Sequence, residues 1–70
     1  MDIKNERTGD IYRIRRISPR HWGARVWSAT FHAWIPADRF ERSTLDACAA
    51  AVRRYIAADN ATYSPMAGGE

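Results

Sequence analysis

IYRIRRISPRHWGARVW, residues 11–27, is the stretch of sequence that decides the fold. Within it Tyr12 and Ile14 alternate with Arg13 and Arg15, which is the period-two pattern of a β-strand with one buried face. If Tyr12 and Ile14 face a core, the two arginines project from the opposite side of the same strand. The pattern therefore predicts a strand that separates an apolar face from a basic one.

The middle of this stretch predicts a β-hairpin. Ile17 breaks the alternation, so we expect a β-bulge or a strand end near Arg16. The next six residues, SPRHWG at 18–23, contain a proline and a glycine, which are typical of turns. A second strand is expected after Gly23.

The residues after Gly23 alternate again and predict one long strand from Arg25 to Ile35. No turn residue stands between Gly23 and Pro36, so we expect this strand to bend and pair with two neighbours. Pro36 to Arg42 is expected to end the strand and form a connection that contains either a very short third strand or one helical turn. The expected core positions are Trp27, Ala29, Phe31, Ala33 and Ile35, and the expected outward positions include Ser28, Thr30 and His32.

The second half of the chain predicts one amphipathic helix. Ser43 is a good N-cap residue, and we expect the helix to run from there to about Ala58. Asp59 and Asn60 are expected to end it, and residues 61–70 to form a flexible tail. The apolar residues share one stripe at helical spacing: Leu45, Cys48, Ala49, Val52, Tyr55 and Ile56.

These elements predict a single α+β domain over residues 1–60, with the order β-β-(β)-α. A small antiparallel sheet of two or three strands would pack against one C-terminal helix. Because a lone hairpin is only marginally stable, we expect a third strand near Phe40 or Ile3, or a second chain that completes the sheet. A homodimer is therefore one prediction.

Positive charge is concentrated in the predicted hairpin. Residues 11–36 carry five arginines and no acid, although the net charge of the whole chain is only +3. A basic surface of this kind attracts phosphate groups or an acidic protein face. Two causes unrelated to binding stay open: the arginines reflect the base composition of the genome, or they protect an exposed sheet from aggregation.

The arginines and tryptophans are the candidate binding residues. Arginine binds phosphate oxygens and guanine edges in a bidentate way, and a β-ribbon fits the major groove of DNA. Trp22 and Trp34 are candidates for stacking on a base or for anchoring a protein interface. The candidate set is Arg13, Arg15, Arg16, Arg20, Trp22, Arg25, Ser28 and Trp34.

The sequence contains no pattern that indicates catalysis, a metal site or a cofactor site. His21 and His32 lie eleven residues apart, and Cys48 is the only cysteine. The charged start of the chain and its short uncharged run, residues 26–37, predict no membrane partner and a cytoplasmic location. We therefore expect a protein that binds without catalysing a reaction.

The segments YRIRRISPRHWGARV, TFHAW and RFERSTLDACAAAVRRYI resemble the layout of two DNA-binding families. These are the arm-binding domain of tyrosine integrases and the plant ethylene-response-factor domain, in which a three-stranded sheet enters the major groove and one helix backs it. The resemblance implies that Arg13, Arg15, Arg25 and Ser28 contact DNA. The sequence departs from both families at Pro36, which sits where a third strand should run.

The chain is also similar in kind to small phage-encoded inhibitors, including anti-CRISPR proteins, which share size more than motifs. Two functions follow as hypotheses. The favoured one is a phage or mobile-element accessory protein whose basic hairpin contacts nucleic acid. The alternative is an inhibitor that binds and blocks a host protein or ribonucleoprotein complex, with Trp22 or Trp34 as the anchor.

Overall fold

The computed structural model describes residues 1–62. It contains four strands and one helix, and the strands form a single antiparallel sheet in sequential order. The elements are β1 (Asp2–Lys4), β2 (Ile11–Ser18), β3 (His21–Ser28), β4 (Ala33–Arg42) and α1 (Leu45–Thr62). The α+β class is confirmed, but the predicted count of two or three strands was too low.

The β2 and β3 hairpin follows the prediction from residues 11–27. Tyr12 and Ile14 are buried, while Arg13 and Arg15 are exposed on the other side. The register of the pair shifts between Arg16 and Ser18, which confirms the predicted bulge.

The predicted long strand from Arg25 to Ile35 is wrong, because the chain reverses direction at Ala29–His32. His32 adopts a positive φ of 54°, and its N–H donates to the Ser28 carbonyl oxygen over 2.8 Å. The Ala29 N–H donates to Asp10 Oδ1 at 2.9 Å, so a side chain from another loop holds this turn. The reversal creates β4. Trp27 and Ser28, at the end of β3, lie on the faces opposite to those predicted, because the predicted alternation was taken largely from residues that form the turn.

β4 continues through Pro36, where a connection was predicted. Proline is tolerated in an edge strand, and β4 is the last strand of the sheet. Ala24 pairs with Ala37 and Trp22 pairs with Arg42, so one residue of β3 faces the four residues 38–41 of β4. We call these four residues the β4 bulge.

The core lies between the sheet and α1. The β4 bulge brings Phe40 into this core, where its ring lies 5.7 Å from the Tyr12 ring and 5.3 Å from the Tyr55 ring, both edge to face. The buried helix residues are Cys48, Ala49, Ala51 and Val52, and Leu45 and Ile56 pack beside them. The predicted stripe is confirmed, with Tyr55 at its margin, 38 % exposed.

Both ends of the helix differ from the prediction. Thr44 caps the N-terminus instead of Ser43, since Thr44 Oγ1 accepts the Ala47 N–H at 3.1 Å. The helix continues past Ala58 to Thr62, and residues 61–62 of the predicted tail are helical. The rest of that tail lies outside the described residues.

Arg7 accounts for the longer helix. Its guanidinium donates to Asp59 at 2.6 Å and to the Asn60 side chain at 2.7 Å, so the loop between β1 and β2 holds the last turns of α1. Asn5 organises that loop; its side chain accepts the Arg7 N–H, and the residue is 1 % exposed. β1 contains Ile3 and β4 contains Phe40, so strands form at both of the predicted places within one chain. Of the two alternatives for completing the sheet, the structure contains the additional strands.

Ile14→Ala tests which face of β2 is buried. The side chain is 2 % exposed, so we expect a loss of about 2–5 kcal/mol from the free energy of unfolding. Ile17→Ala, in the same strand but 53 % exposed, should cost less than about 1 kcal/mol. Urea unfolding followed by tryptophan fluorescence measures both, and equal losses would contradict the assignment of faces.

Candidate nucleic-acid interface

One face of the sheet points away from α1, and we call it the outer face. Strand register places its residues in rows that cross the sheet, because side chains of paired residues point to the same side. The rows are Asp2, Arg13, Arg25 and Pro36; Lys4, Ile11, Trp27 and Trp34; and Arg15 with Gly23. Four cationic side chains from three strands therefore share this face.

Arg13 lies at the centre of the outer face between an acid and an aromatic ring. Its Nε and NH2 groups donate to the two Asp2 carboxylate oxygens at 3.0 and 3.1 Å. Its guanidinium carbon also lies 4.8 Å from the centre of the Trp34 ring, within cation–π distance. These contacts orient the guanidinium across the sheet surface.

The Asp2 and Arg13 pair is exposed but well formed. The hydrogen bond from Arg13 lowers the pKa of the Asp2 carboxyl, and the same bond raises the pKa of Arg13. Asp2 is consequently ionised at neutral pH. An ion pair at an exposed site contributes little to stability, so its main effect is on the charge that a ligand would meet.

Trp27 and Trp34 form a cross-strand pair on the outer face. Their ring centres are 5.6 Å apart at an interplanar angle of 62°, and His32 lies at the other side of Trp27, 6.4 Å away. Trp34 is 40 % exposed, as its proposed binding role requires. The prediction that Trp27 belongs to the core is wrong, because Trp27 pairs with Ile11 and Trp34 and shares the outer face with them.

Arg15 and Arg25 border a shallow cleft at the end of the outer face near the β4 bulge. The cleft has a volume of about 210 Å³, and Gly23 is among its lining residues. A Cβ added at Gly23 would lie 2.7 Å from Ile17 Cδ1, so a larger residue would displace that side chain. Asp38 and Glu41 also line the cleft, which makes this end of the face mixed in charge.

The structure brings together only part of the predicted set. Arg13, Arg15, Arg25 and Trp34 share the outer face. Arg20 is exposed in the β2 and β3 turn at the edge of the sheet.

Three predicted residues do not belong to the outer face. Arg16 is exposed but paired with Trp22 on the helix side of the sheet, where Trp22 packs against the core. Ser28 is 8 % exposed, and its Oγ accepts the Phe31 N–H at 3.1 Å. The expectation that Ser28 lies beside Arg13 and Arg15 is wrong, because β3 alternates in the opposite phase.

Lys4 and Trp27 are outer-face residues that the sequence reasoning missed. Lys4 could not be assigned because β1 has only three residues, too few for a pattern to be visible. The face of Trp27 was missed because the turn at Ala29–His32 was missed. A local signal for that turn is His32, a residue type enriched at positive φ.

Two titratable side chains, Tyr12 and Cys48, are buried between the sheet and α1. Burial raises the pKa of Tyr12 to about 12, helped by the nearby Tyr55. Burial also raises the pKa of the Cys48 thiol, so both groups are protonated at neutral pH.

Two further observations concern residues 1–62 only. Within this range no three His, Cys, Asp or Glu side chains are grouped as metal ligands would be. No helix of the described part is both long and apolar enough to cross a membrane.

Comparison of the chain with protein-family models, with curated proteins and with solved structures finds no match.

Trp34→Ala tests the cross-strand aromatic pair. Two indoles this close should give an exciton couplet in the far-ultraviolet circular dichroism spectrum, and we expect the couplet to disappear in this variant. The stability loss should be about 0.5–1.5 kcal/mol, since an exposed aromatic pair is removed. Trp22→Phe is the control and should keep the couplet, because Trp22 lies on the helix side. A couplet that persists in Trp34→Ala would contradict the pairing.

Proposed function

We propose that this chain is a nucleic-acid-binding module, without catalytic activity or cofactor, that contacts duplex DNA with its outer face. The observation that supports this most is the gathering of Lys4, Arg13, Arg15 and Arg25 on the one sheet face that α1 leaves uncovered. A cytoplasmic accessory protein of a phage or mobile element is the setting that the resemblance to sheet-plus-helix DNA-binding domains suggests.

Arg15 and Arg25 are the residues best suited to contact DNA. Both are exposed, and among residues 1–62 neither has a carboxylate within ion-pair distance. An arginine without an acidic partner can donate two parallel hydrogen bonds to a phosphate or to the O6 and N7 atoms of guanine. Strands that enter the major groove would present these side chains to base edges.

Arg13 and the tryptophans have a different role in this proposal. Arg13 is already held by Asp2 and Trp34, so it is less free to reach a base edge. Trp34 offers a flat apolar surface that can contact sugar rings or thymine methyl groups at the edge of the groove. The outer face would therefore bind through Arg15 and Arg25, with Arg13 contributing positive potential.

A second candidate function is the binding and blocking of a host protein or ribonucleoprotein complex. Its support is the aromatic end of the outer face: Phe31, in the turn before β4, is 74 % exposed and Trp34 is 40 % exposed. Large exposed aromatic side chains are typical anchors of protein interfaces. This function predicts that Phe31 and Trp34 dominate binding and that salt has a weak effect.

The Arg15→Gln and Arg25→Gln double variant tests the favoured function. Fluorescence anisotropy of labelled random duplex and single-stranded DNA, at two salt concentrations, measures the affinity. We expect the wild type to bind duplex with steep salt dependence and the double variant to bind at least about tenfold more weakly, with a lower salt slope.

Arg53→Gln is the matched control for each single change, Arg15→Gln and Arg25→Gln, since it removes the same charge from an exposed position of α1. A loss in Arg53→Gln equal to that in the two outer-face variants would show that only net charge matters and would contradict a specific role of the outer face. If the wild type does not bind DNA at low salt, the proposal fails. Loss of a host-protein complex in Trp34→Ala would then favour the second function.

Asp2→Asn tests how the ion pair affects binding. The ionised carboxylate lowers the positive potential around Arg13, so its removal should tighten duplex binding by about twofold to fivefold at low salt. Asp46→Asn, the same change in the first turn of α1, should have a smaller effect because Asp46 is not on the sheet. Weaker binding by Asp2→Asn would instead indicate that Asp2 positions Arg13 for contact.

A further inference from the structure

A second basic surface lies between β4 and α1, away from the outer face. It is a wide groove of about 370 Å³, and we call it the β4–α1 groove. Arg39, Arg42 and Arg54 are its charged lining residues, and among residues 1–62 no acidic side chain lines it. Phe40, Ala51 and Tyr55 supply apolar lining.

The arginines of the groove are held in place by groups other than acids. The guanidinium carbon of Arg39 lies 5.1 Å from the centre of the Tyr55 ring and 5.7 Å from that of Phe40. Arg42 donates to the backbone carbonyl oxygens of Arg39 and Glu41 at 2.9 and 2.7 Å. In the part of the chain that the structure describes, no salt bridge neutralises Arg39, Arg42 or Arg54.

The apolar lining decides which kind of anionic partner fits. Phe40 and Ala51 are buried, while Tyr55 remains 38 % exposed beside Arg39. The exposed Ala58 extends this apolar surface at the helix rim of the groove. An amphipathic helix carries apolar and acidic side chains at fixed spacings on one face, so it can cover an exposed aromatic ring and pair with the arginines beside it.

We propose that the β4–α1 groove binds an acidic amphipathic segment of a partner protein. Leucine-like side chains of the segment would cover Tyr55, and flanking carboxylates would pair with Arg39 and Arg54. A second copy of this chain is a poor complement, since each copy has a net charge of +3. The groove would therefore connect the outer face, and whatever it binds, to an acidic protein.

A designed peptide is the probe. It is a labelled helix of about 18 residues with leucine at positions i, i+3, i+4 and i+7 and glutamate at the others. We expect saturable binding to the wild-type protein in the micromolar range by fluorescence anisotropy. The same peptide with lysine in place of glutamate is the control and should not bind.

Two sets of variants locate the binding. Arg39→Gln with Arg54→Gln should weaken peptide binding by at least about tenfold, whereas Arg15→Gln with Arg25→Gln should change it less than about twofold. Replacing Arg39 also removes its contacts with the Phe40 and Tyr55 rings, so a second test leaves Arg39 in place. It changes Ala58, on the exposed helix rim of the groove, to glutamate in the variant Ala58→Glu. It should repel the peptide, and Ala58→Lys should not.

The proposal is overturned if the glutamate peptide does not saturate below about 200 µM, or if both arginine pairs weaken it equally. It is also overturned if the groove variants lose DNA binding while peptide binding is unchanged, because the groove would then be a nucleic-acid surface. Both arginine double variants are therefore also assayed with duplex DNA. Loss of DNA binding in the groove variant alone would mark the groove as the nucleic-acid surface, whereas failure of the wild type to bind DNA would contradict only the outer-face proposal.

Discussion

The edge-to-face packing of Tyr12, Phe40 and Tyr55 is the interaction on which the rest of the structure depends. Tyr12 comes from a central strand, Phe40 from the edge strand and Tyr55 from the helix, so one aromatic cluster joins three elements. It fixes α1 to one side of the sheet. Because side chains alternate along a strand, burial of Tyr12 beneath α1 directs Arg13 and Arg15 to the opposite side, which α1 does not cover. In a chain of 70 residues the helix can cover only one face.

The parts of the fold that the sequence predicted correctly depend on neighbouring residues alone. The alternation of Tyr12 and Ile14 with arginines, the bulge near Arg16 and the apolar stripe of α1 are each visible within a few positions, and the structure contains all three. Period-two and helical patterns report burial directly, so they identify the buried face before the partner element is known. Arg13 and Arg15 were therefore placed on the correct face of β2.

The parts that were wrong depend on contacts between distant residues. The turn at Ala29–His32 lacks glycine and proline, and Asp10, from the first loop, supplies one of its hydrogen bonds. The sequence around the turn continues to alternate, so a strand was predicted through it. The phase of that strand was taken from turn residues, and Trp27 and Ser28 were assigned to the wrong faces. β1 is similarly nonlocal, since its three residues form a strand only by pairing with β2, where Met1 and Ile14 exchange backbone bonds.

The β4 bulge explains why the chain has two basic surfaces of different character. Four residues of β4 oppose one residue of β3, so alternation is interrupted and the neighbouring residues Arg39 and Phe40 lie on the same side. Asp38 and Glu41 reach the cleft on the outer face, whereas Arg39 and Phe40 line the groove beside α1. Acids thus reduce the positive charge at the end of the outer face where Arg15 and Arg25 border the cleft. The β4 bulge directs Asp38 and Glu41 to the cleft on the outer face, so among residues 1–62 the groove is lined by arginines and not by acids. One local departure from regular pairing therefore determines both where a polyanion fits on the sheet and where an acidic, partly apolar partner fits beside the helix.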